Sequence, residues 1–131
     1  MKHNVKVYQI VLTEEKRTIK KETMLARTMV GIMPTEEDFN NLYDNVMTFT
    51  KESEIENVME FCEFCFSALN SENLAHFELE DIVQNYPRRS LSVGDILEVN
   101  GELYIVKIMG FGKFPEETSS VDIFTSMLSG N

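Results

Sequence analysis

The sequence feature that most constrains the fold is an Asn-Gly dipeptide between two apolar, β-branched runs. Residues 95–99 (DILEV) precede Asn100-Gly101, and residues 102–108 (ELYIVKI) follow it. Asn-Gly is typical of a two-residue type I′ turn, because both central residues of that turn need φ > 0. In the second run, apolar side chains fall on both faces, which is typical of a central strand. The segment therefore predicts a β-hairpin inside a sheet.

The other end of the chain carries a second strand signal. Residues 5–12 (VKVYQIVL) are apolar and β-branched, with side chains alternating between two faces. The predicted fold class is α+β: a small antiparallel sheet, formed by the N-terminal strand and the Asn-Gly hairpin, with two to three helices packed on one face. Residues 1–115 are predicted to form one domain with an acidic helical middle (31–86). Residues 116–131 are predicted to be a tail that forms a short helix or frays.

Helix signals are strongest in the middle of the chain. Thr35, followed by three acidic residues, predicts a helix start, because acids in the first turn favour the helix dipole. The S-x-x-E pattern of residues 53–56 is a capping box and predicts that a helix begins at Ser53. The apolar spacing of residues 79–86 predicts a third helix, closed by Pro87.

Three shorter segments are interpreted as strands. Residues 47–50 (MTFT) are β-like, and residues 18–21 (TIKK) are expected to pair back onto the first strand. Residues 24–30 (MLARTMV) are also interpreted as a strand, with a helix fragment as the alternative.

The charge of the chain is concentrated in its middle. The formal net charge is −10, yet residues 31–86 contain thirteen acidic residues and one basic residue, Lys51. Such a segment argues against direct nucleic-acid binding, since phosphate contacts need Lys and Arg. It is compatible with a basic protein partner, and equally with a surface that only keeps the protein soluble.

The acidic middle supplies the candidate partner-binding residues. Acids on successive helices can be spaced like the phosphates of a duplex, about one charge per 1.7 Å of axis. Such a surface could occupy a basic nucleic-acid groove on another protein. The candidates are Glu36, Glu37, Asp38, Asp44, Glu54, Glu56, Glu60, Glu63, Glu78, Glu80 and Asp81.

The sequence offers little evidence of catalysis, of a metal site or of a membrane segment. Cys62 and Cys65 form a CxxC, but they fall inside a predicted helix among phenylalanines and are interpreted as core thiols. His3 and His76 are not at ligand spacing, so no metal and no cofactor are predicted. No nucleotide-binding or hydrolase motif is found, so no enzyme is predicted. No apolar run is long enough to span a bilayer.

One part of the chain resembles a known family. Residues 89–95 (RSLSVGD), the strand pair after them and residues 110–113 (GFGK) resemble the S-x-SVGD…GF pattern of small phage, plasmid and integrative-element proteins, YodL-like proteins among them. Parts of the N-terminal half, such as residues 25–29 and 34–39, are similar as well. The family has no assigned activity, so the resemblance implies context only: a mobile-element protein in the cytoplasm of a bacterial host cell.

Charge and context together lead to one main hypothesis. The protein is expected to bind and inhibit a host nucleic-acid-handling defence protein, such as a CRISPR effector nuclease or a restriction enzyme, as an anti-CRISPR or anti-restriction protein. The first alternative is a non-catalytic accessory or oligomerisation module, with Phe61 and Phe64 on a homodimer face. The second is a thiol or metal protein that uses the CxxC.

Overall fold

The fold is built on one six-stranded sheet in which all neighbouring strands are antiparallel. The computed structural model describes residues 1–115, so the predicted tail lies outside the described residues. The strands are β1 (Lys2–Gln9), β2 (Asp44–Glu52), β3 (Glu80–Gln84), β4 (Ile96–Val99), β5 (Glu102–Val106) and β6 (Phe111–Lys113), in the order β3-β2-β1-β4-β5-β6. The helices are α1 (Ile19–Met29), α2 (Glu36–Leu42) and α3 (Val58–Leu69). The predicted α+β class is confirmed.

The Asn-Gly hairpin forms as the sequence predicts. Asn100 and Gly101 adopt φ values of 51° and 89°, and β4 pairs with β5 on either side of them. β1 pairs with β4, with Val5 opposite Val99. The predicted pairing of the two ends of the chain is therefore confirmed.

Apolar side chains cover both faces of the sheet, and each face has its own helices. Val7 and Leu97 point to one face, against which α3 packs. Ile96 points to the other, where it packs with Met24 of α1 and Phe39 of α2. The helices thus lie on both faces and not on one, because strands that carry apolar residues at successive positions must be covered twice.

Residues 19–29 form a helix and not the predicted strand. The side chain of Thr18 caps α1 by accepting a hydrogen bond from the Lys21 backbone N–H at 3.2 Å. The predicted pairing of this segment with the first strand is therefore wrong as well. Met24 and Thr28, four residues apart, are buried, while most of their neighbours are exposed. Burial of one helical face outweighs the local β-like composition here.

α2 begins as predicted, whereas α3 begins later than predicted. Thr35 caps α2 in a capping box. Ser53 instead makes a turn, in which its hydroxyl accepts a hydrogen bond from the Ile55 N–H at 3.1 Å. The cap of α3 is Asn57, whose side-chain oxygen accepts from the Glu60 N–H at 3.1 Å. Both residue types are good caps, so the S-x-x-E pattern alone could not decide between them.

The acidic middle contributes two strands to the sheet and is only partly helical. β2 contains the predicted short strand and lies between β1 and β3. The predicted third helix is absent from the described residues: a short 3-10 helix over Leu74–Phe77 is followed by β3, in which Val83 lies opposite Thr48. The strand prevails because the exposed edge of β2 offers unpaired N–H and C=O groups.

A buried polar cluster holds the SVGD segment at the entrance of the hairpin. The carboxylate of Asp95 is 2% exposed. It accepts hydrogen bonds from both terminal nitrogens of Arg89 (2.9 and 3.0 Å), from the Gln9 amide (3.0 Å) and from the Ser92 N–H (2.9 Å). Each charged or polar atom in this cluster has a partner, so its role is to position β4.

Candidate acidic binding surface

The predicted partner-binding acids do not form one surface. Glu36, Glu37 and Asp38 occupy the first turn of α2, on the face of the sheet opposite to α3. Asp38 is also used by the capping box, since its carboxylate accepts from the Thr35 N–H at 2.9 Å. These three acids stabilise the start of α2 through the helix dipole. They cannot contact a partner together with acids of α3 unless the partner spans both faces.

Asp44 is part of an internal ion-pair cluster. Its two carboxylate oxygens lie 3.1 Å from the Lys16 ammonium and 3.4 Å from the Lys21 ammonium. Lys21 is buried and also donates to the Val11 carbonyl at 3.3 Å. Asp44 therefore ties the segment before α1, and α1 itself, to the start of β2, and its charge is compensated.

Glu80 and Asp81 are the first two residues of the edge strand β3, and Glu78 lies just before it. Asp81 accepts a hydrogen bond from the Thr50 hydroxyl at 2.7 Å and lies 3.5 Å from the Lys2 ammonium, and both interactions lower the pKa of its carboxyl group. All five residues of β3 are exposed. Charged side chains on such an edge oppose pairing with strands of other molecules. These acids therefore have a structural role that needs no partner.

The remaining four candidates lie on the α3 side of the sheet, Glu54 and Glu56 at one cavity and Glu63 at another, beside Gly110. Glu54 and Glu56 lie on the connection between β2 and α3, and Glu60 and Glu63 lie on the outer side of α3. All four are exposed, and within residues 1–115 none of them forms an ion pair. These residues are called the α3 acidic face: Glu54, Glu56, Glu60 and Glu63.

The inner side of α3 explains why these acids are held outward. Phe61, Cys62 and Cys65 have no exposed surface and pack against the sheet. At 3.6 residues per turn, Glu60 and Glu63 are then directed away from the core. Glu60 and Glu63 are consequently carried on a helix whose opposite side packs against the core.

The CxxC lies in the core, as its sequence context predicts. Burial raises the pKa of the Cys62 thiol to about 12 and raises the pKa of the Cys65 thiol even further. Thiols in this state are poor nucleophiles and poor metal ligands, because both reactions need the thiolate. The described residues contain no group of three His, Cys, Asp or Glu side chains able to hold a metal ion.

Phe61 and Phe64 do not form the homodimer face considered as an alternative. Phe61 is fully buried. Phe64 is half-buried, with its ring centroid 6.0 Å from that of Phe61 and 5.8 Å from that of Phe77. The Lys51 ammonium lies 5.5 Å from the Phe64 centroid. The Phe61 ring is covered by the protein itself, and the Phe64 ring is partly covered.

A cavity of about 730 Å³ opens beside the α3 acidic face. Its wall comes from the start of β1, the connection between β2 and α3, and the turn between β4 and β5. The sequence interpretation missed the lining residues His3, Asn100, Glu102 and Tyr104. One signal was available for His3, which is in phase with Val5 and Val7 along β1 and is therefore expected to point inward.

Comparisons of the chain with protein-family models, with curated proteins and with solved structures gave no match. The resemblance to YodL-like proteins therefore stays a prediction. No helix within residues 1–115 is long and apolar enough to cross a membrane.

Proposed function

We propose that this protein is a non-catalytic inhibitor that binds a basic surface of a nucleic-acid-handling protein through the α3 acidic face. The observation that carries the proposal is the set of four exposed carboxylates at residues 54–63, which have no ion-pair partner among the described residues. A field of uncompensated charge speeds the encounter with a partner of opposite charge and favours its binding.

Among the acids named from the sequence, these four support the hypothesis best. The acids of α2, Asp44 and Asp81 have structural roles, so they support the proposal less than the α3 acidic face does. The partner class follows from charge and from the resemblance: a bacterial defence nuclease of the CRISPR or restriction type, whose nucleic-acid channel is lined with Lys and Arg. Binding there would exclude the nucleic acid by competition in the cytoplasm of the host cell.

The proposal is tested by nuclease inhibition with charge-matched variants. The test variant is E54Q/E56Q/E60Q/E63Q. The control is E14Q/E15Q/E36Q/E37Q, which removes the same amount of charge from exposed positions elsewhere. A panel of purified CRISPR effector and restriction nucleases is assayed for DNA cleavage with each protein added before or after the DNA.

The expected result is inhibition of at least one nuclease by the wild type and by the control variant, with at least tenfold weaker inhibition by the test variant. Inhibition should decrease when DNA is added first, because the protein and the DNA compete for one surface. Equal inhibition by the two variants would contradict the role of the α3 acidic face, and no inhibition of any nuclease would contradict the proposed function.

Self-association is a second candidate function, and one observation favours it. Met29, Val30, Ile108 and Met109 are all exposed. A Cβ atom on Gly31 would lie 2.6 Å from Ile108 Cδ1, so the two segments that carry these side chains are in contact. Sedimentation analysis of the wild type and of a V30S/M109S variant tests this alternative: a dimer that the variant abolishes would support it.

A further inference from the structure

We propose that α1 is a dimerisation helix, which pairs in parallel with α1 of a second copy of this chain about a two-fold axis. The inference specifies the geometry of the self-association considered above. It goes beyond the proposed inhibition and does not depend on it, because α1 and α3 pack on opposite faces of the sheet. A dimer of this kind presents two copies of the α3 acidic face.

One side of α1 is left exposed by the described part of the chain. Lys21, Met24 and Thr28 are buried and define the inner side of the helix. At 100° per residue, the opposite side is formed by four uncharged residues, all of them exposed. They are called the outer stripe: Ile19, Thr23, Ala26 and Val30.

The two ends of the outer stripe are apolar. Ile19 is 82% exposed and Val30 is 72% exposed. Met29, Ile108 and Met109, which belong to the two contacting segments described above, extend the exposed apolar surface beside Val30. Contiguous apolar surface of this kind marks sites of contact with other molecules.

The spacing of the outer stripe is that of a coiled-coil seam. Its members are four, three and four residues apart, as alternating d and a positions of a heptad are. Ile19 and Ala26 take d positions, and Thr23 and Val30 take a positions. The seam covers less than two heptads, so the apolar surface beside Val30 has to contribute to the contact as well.

The charges that flank the outer stripe determine the orientation of the two helices. In this heptad Lys20 and Arg27 take e positions, and Glu22 takes a g position. In a parallel pair, a g residue faces the e residue five positions further along the other helix, so each Glu22 faces Arg27 of the second copy. In an antiparallel pair, e faces e and g faces g, which places cations beside cations.

These charges are available for such a contact. Lys20 and Arg27 form no ion pair within residues 1–115. Glu22 is 2.6 Å from the Arg17 guanidinium, in an exposed pair that uses only the Oε1 atom of Glu22. Its Oε2 atom has no hydrogen bond among the described residues and can accept from Arg27 of the second copy.

A parallel pair also brings the apolar ends of the two stripes together. With the two-fold axis along α1, Val30 lies beside Val30 of the second copy, and Met109 of each copy lies near the same end. An antiparallel pair would separate these surfaces by about 16 Å, the length of 11 helical residues. Apolar burial therefore favours the same orientation as the charges.

The first measurement is the dissociation constant of the dimer, from sedimentation equilibrium of the full-length protein. Concentrations reach about 1 mM, because a contact centred on one short helix is weak. We expect the wild type to dimerise. R27E should weaken the dimer at least about threefold, because it places a carboxylate opposite Glu22 of the second copy. E22R/R27E should recover this loss, and K113E, an equal change of charge at an exposed position of β6, should have no effect.

Cysteine cross-linking tests the orientation. V30C should form a disulfide between two copies in a glutathione redox buffer, because equivalent seam positions of parallel helices lie within disulfide distance. Cys62 and Cys65 are buried and do not compete. A mixture of I19C and V30C should give 19–19 and 30–30 links only. The control is E56C, at an exposed position on the α3 side, which should not cross-link.

A wild type that stays monomeric at every concentration would overturn the proposal. Links between positions 19 and 30 would overturn it too, as would an E22R/R27E variant that associates no better than R27E. If NMR of a monomer showed contacts between the outer stripe and residues 121–128, the occupant would be the chain's own C-terminal segment and not a second copy. A parallel dimer that inhibits no nuclease would support this inference and contradict the proposed function.

Discussion

Replacing Asp95 with alanine tests whether the buried polar cluster holds the entrance of the hairpin. The variant removes the acceptor of four hydrogen bonds of 3.0 Å or less and leaves Arg89 and Gln9 without it. Removing one partner of a buried ion pair costs about 3–5 kcal/mol. The Arg89 side chain is 36% exposed, so water partly replaces the lost carboxylate. We therefore expect a loss near the lower end, about 3 kcal/mol.

Urea unfolding followed by far-UV circular dichroism measures this loss. With a urea slope of about 1.5–2 kcal/mol/M, the midpoint should fall by about 1.5–2 M. The control is Glu98→Ala, which removes a partly exposed ion pair with Lys6 at 3.7 Å and should cost about 1 kcal/mol or less. If Asp95→Ala were no more destabilising than Glu98→Ala, the cluster would not be what holds the segment.

Three further predictions concern the backbone at Gly94 and the buried thiols. Gly94→Ala should destabilise the protein by more than Gly101→Ala. Both glycines have positive φ, which costs about 1–2 kcal/mol for alanine. A Cβ atom at Gly94 would in addition lie 2.5 Å from Thr28 Cβ, whereas a Cβ atom at Gly101 would have no other atom within 4 Å. Equal losses of unfolding free energy for the two variants, measured with urea, would contradict the predicted clash between a Cβ atom at Gly94 and Thr28. Because burial raises the pKa of Cys62 to about 12 and that of Cys65 further, both thiols should react with a thiol-specific disulfide reagent at pH 8 only as fast as the protein unfolds. For the same reason, the free energy of unfolding should fall as pH rises from about 8.5 towards 12, because the thiols of the unfolded chain ionise from about pH 8.5. If a double Cys→Ala variant kept the full pH dependence of the unfolding free energy, the buried thiols would not be its cause.

The parts of the fold that the sequence predicted correctly depend on local chemistry. Asn100-Gly101 needs two positive φ angles, and the flanking runs have strand composition, so the hairpin could be placed from a few residues. Thr35 likewise caps α2 through neighbours three residues away.

The errors arose where a distant segment decides the structure. Residues 79–86 have helical spacing, yet the exposed edge of β2 draws residues 80–84 into the sheet. Residues 24–30 are β-like in composition, but the sheet needs a helix to cover its second face. Neither the edge nor the uncovered face is visible in the segment itself.

The candidate site was predicted only in part for the same reason. That Glu54, Glu56, Glu60 and Glu63 are exposed follows from composition and helical spacing. The cavity beside them is assembled from three separate segments of the chain, around residues 1–3, 53–58 and 99–104. The long-range pairing of β1 with β2 and β4 brings them together, and no local pattern encodes it.

The central claim is that the α3 acidic face binds a basic nucleic-acid-handling protein. Its most direct test is the salt dependence of the dissociation constant for a nuclease that the protein inhibits, measured for the wild type, for E54Q/E56Q/E60Q/E63Q and for the charge-matched E14Q/E15Q/E36Q/E37Q. We predict that the affinities of the wild type and the matched control decrease steeply and in parallel with salt, and that the α3 variant binds weakly with little salt dependence. Parallel curves of equal affinity for all three proteins would contradict the claim.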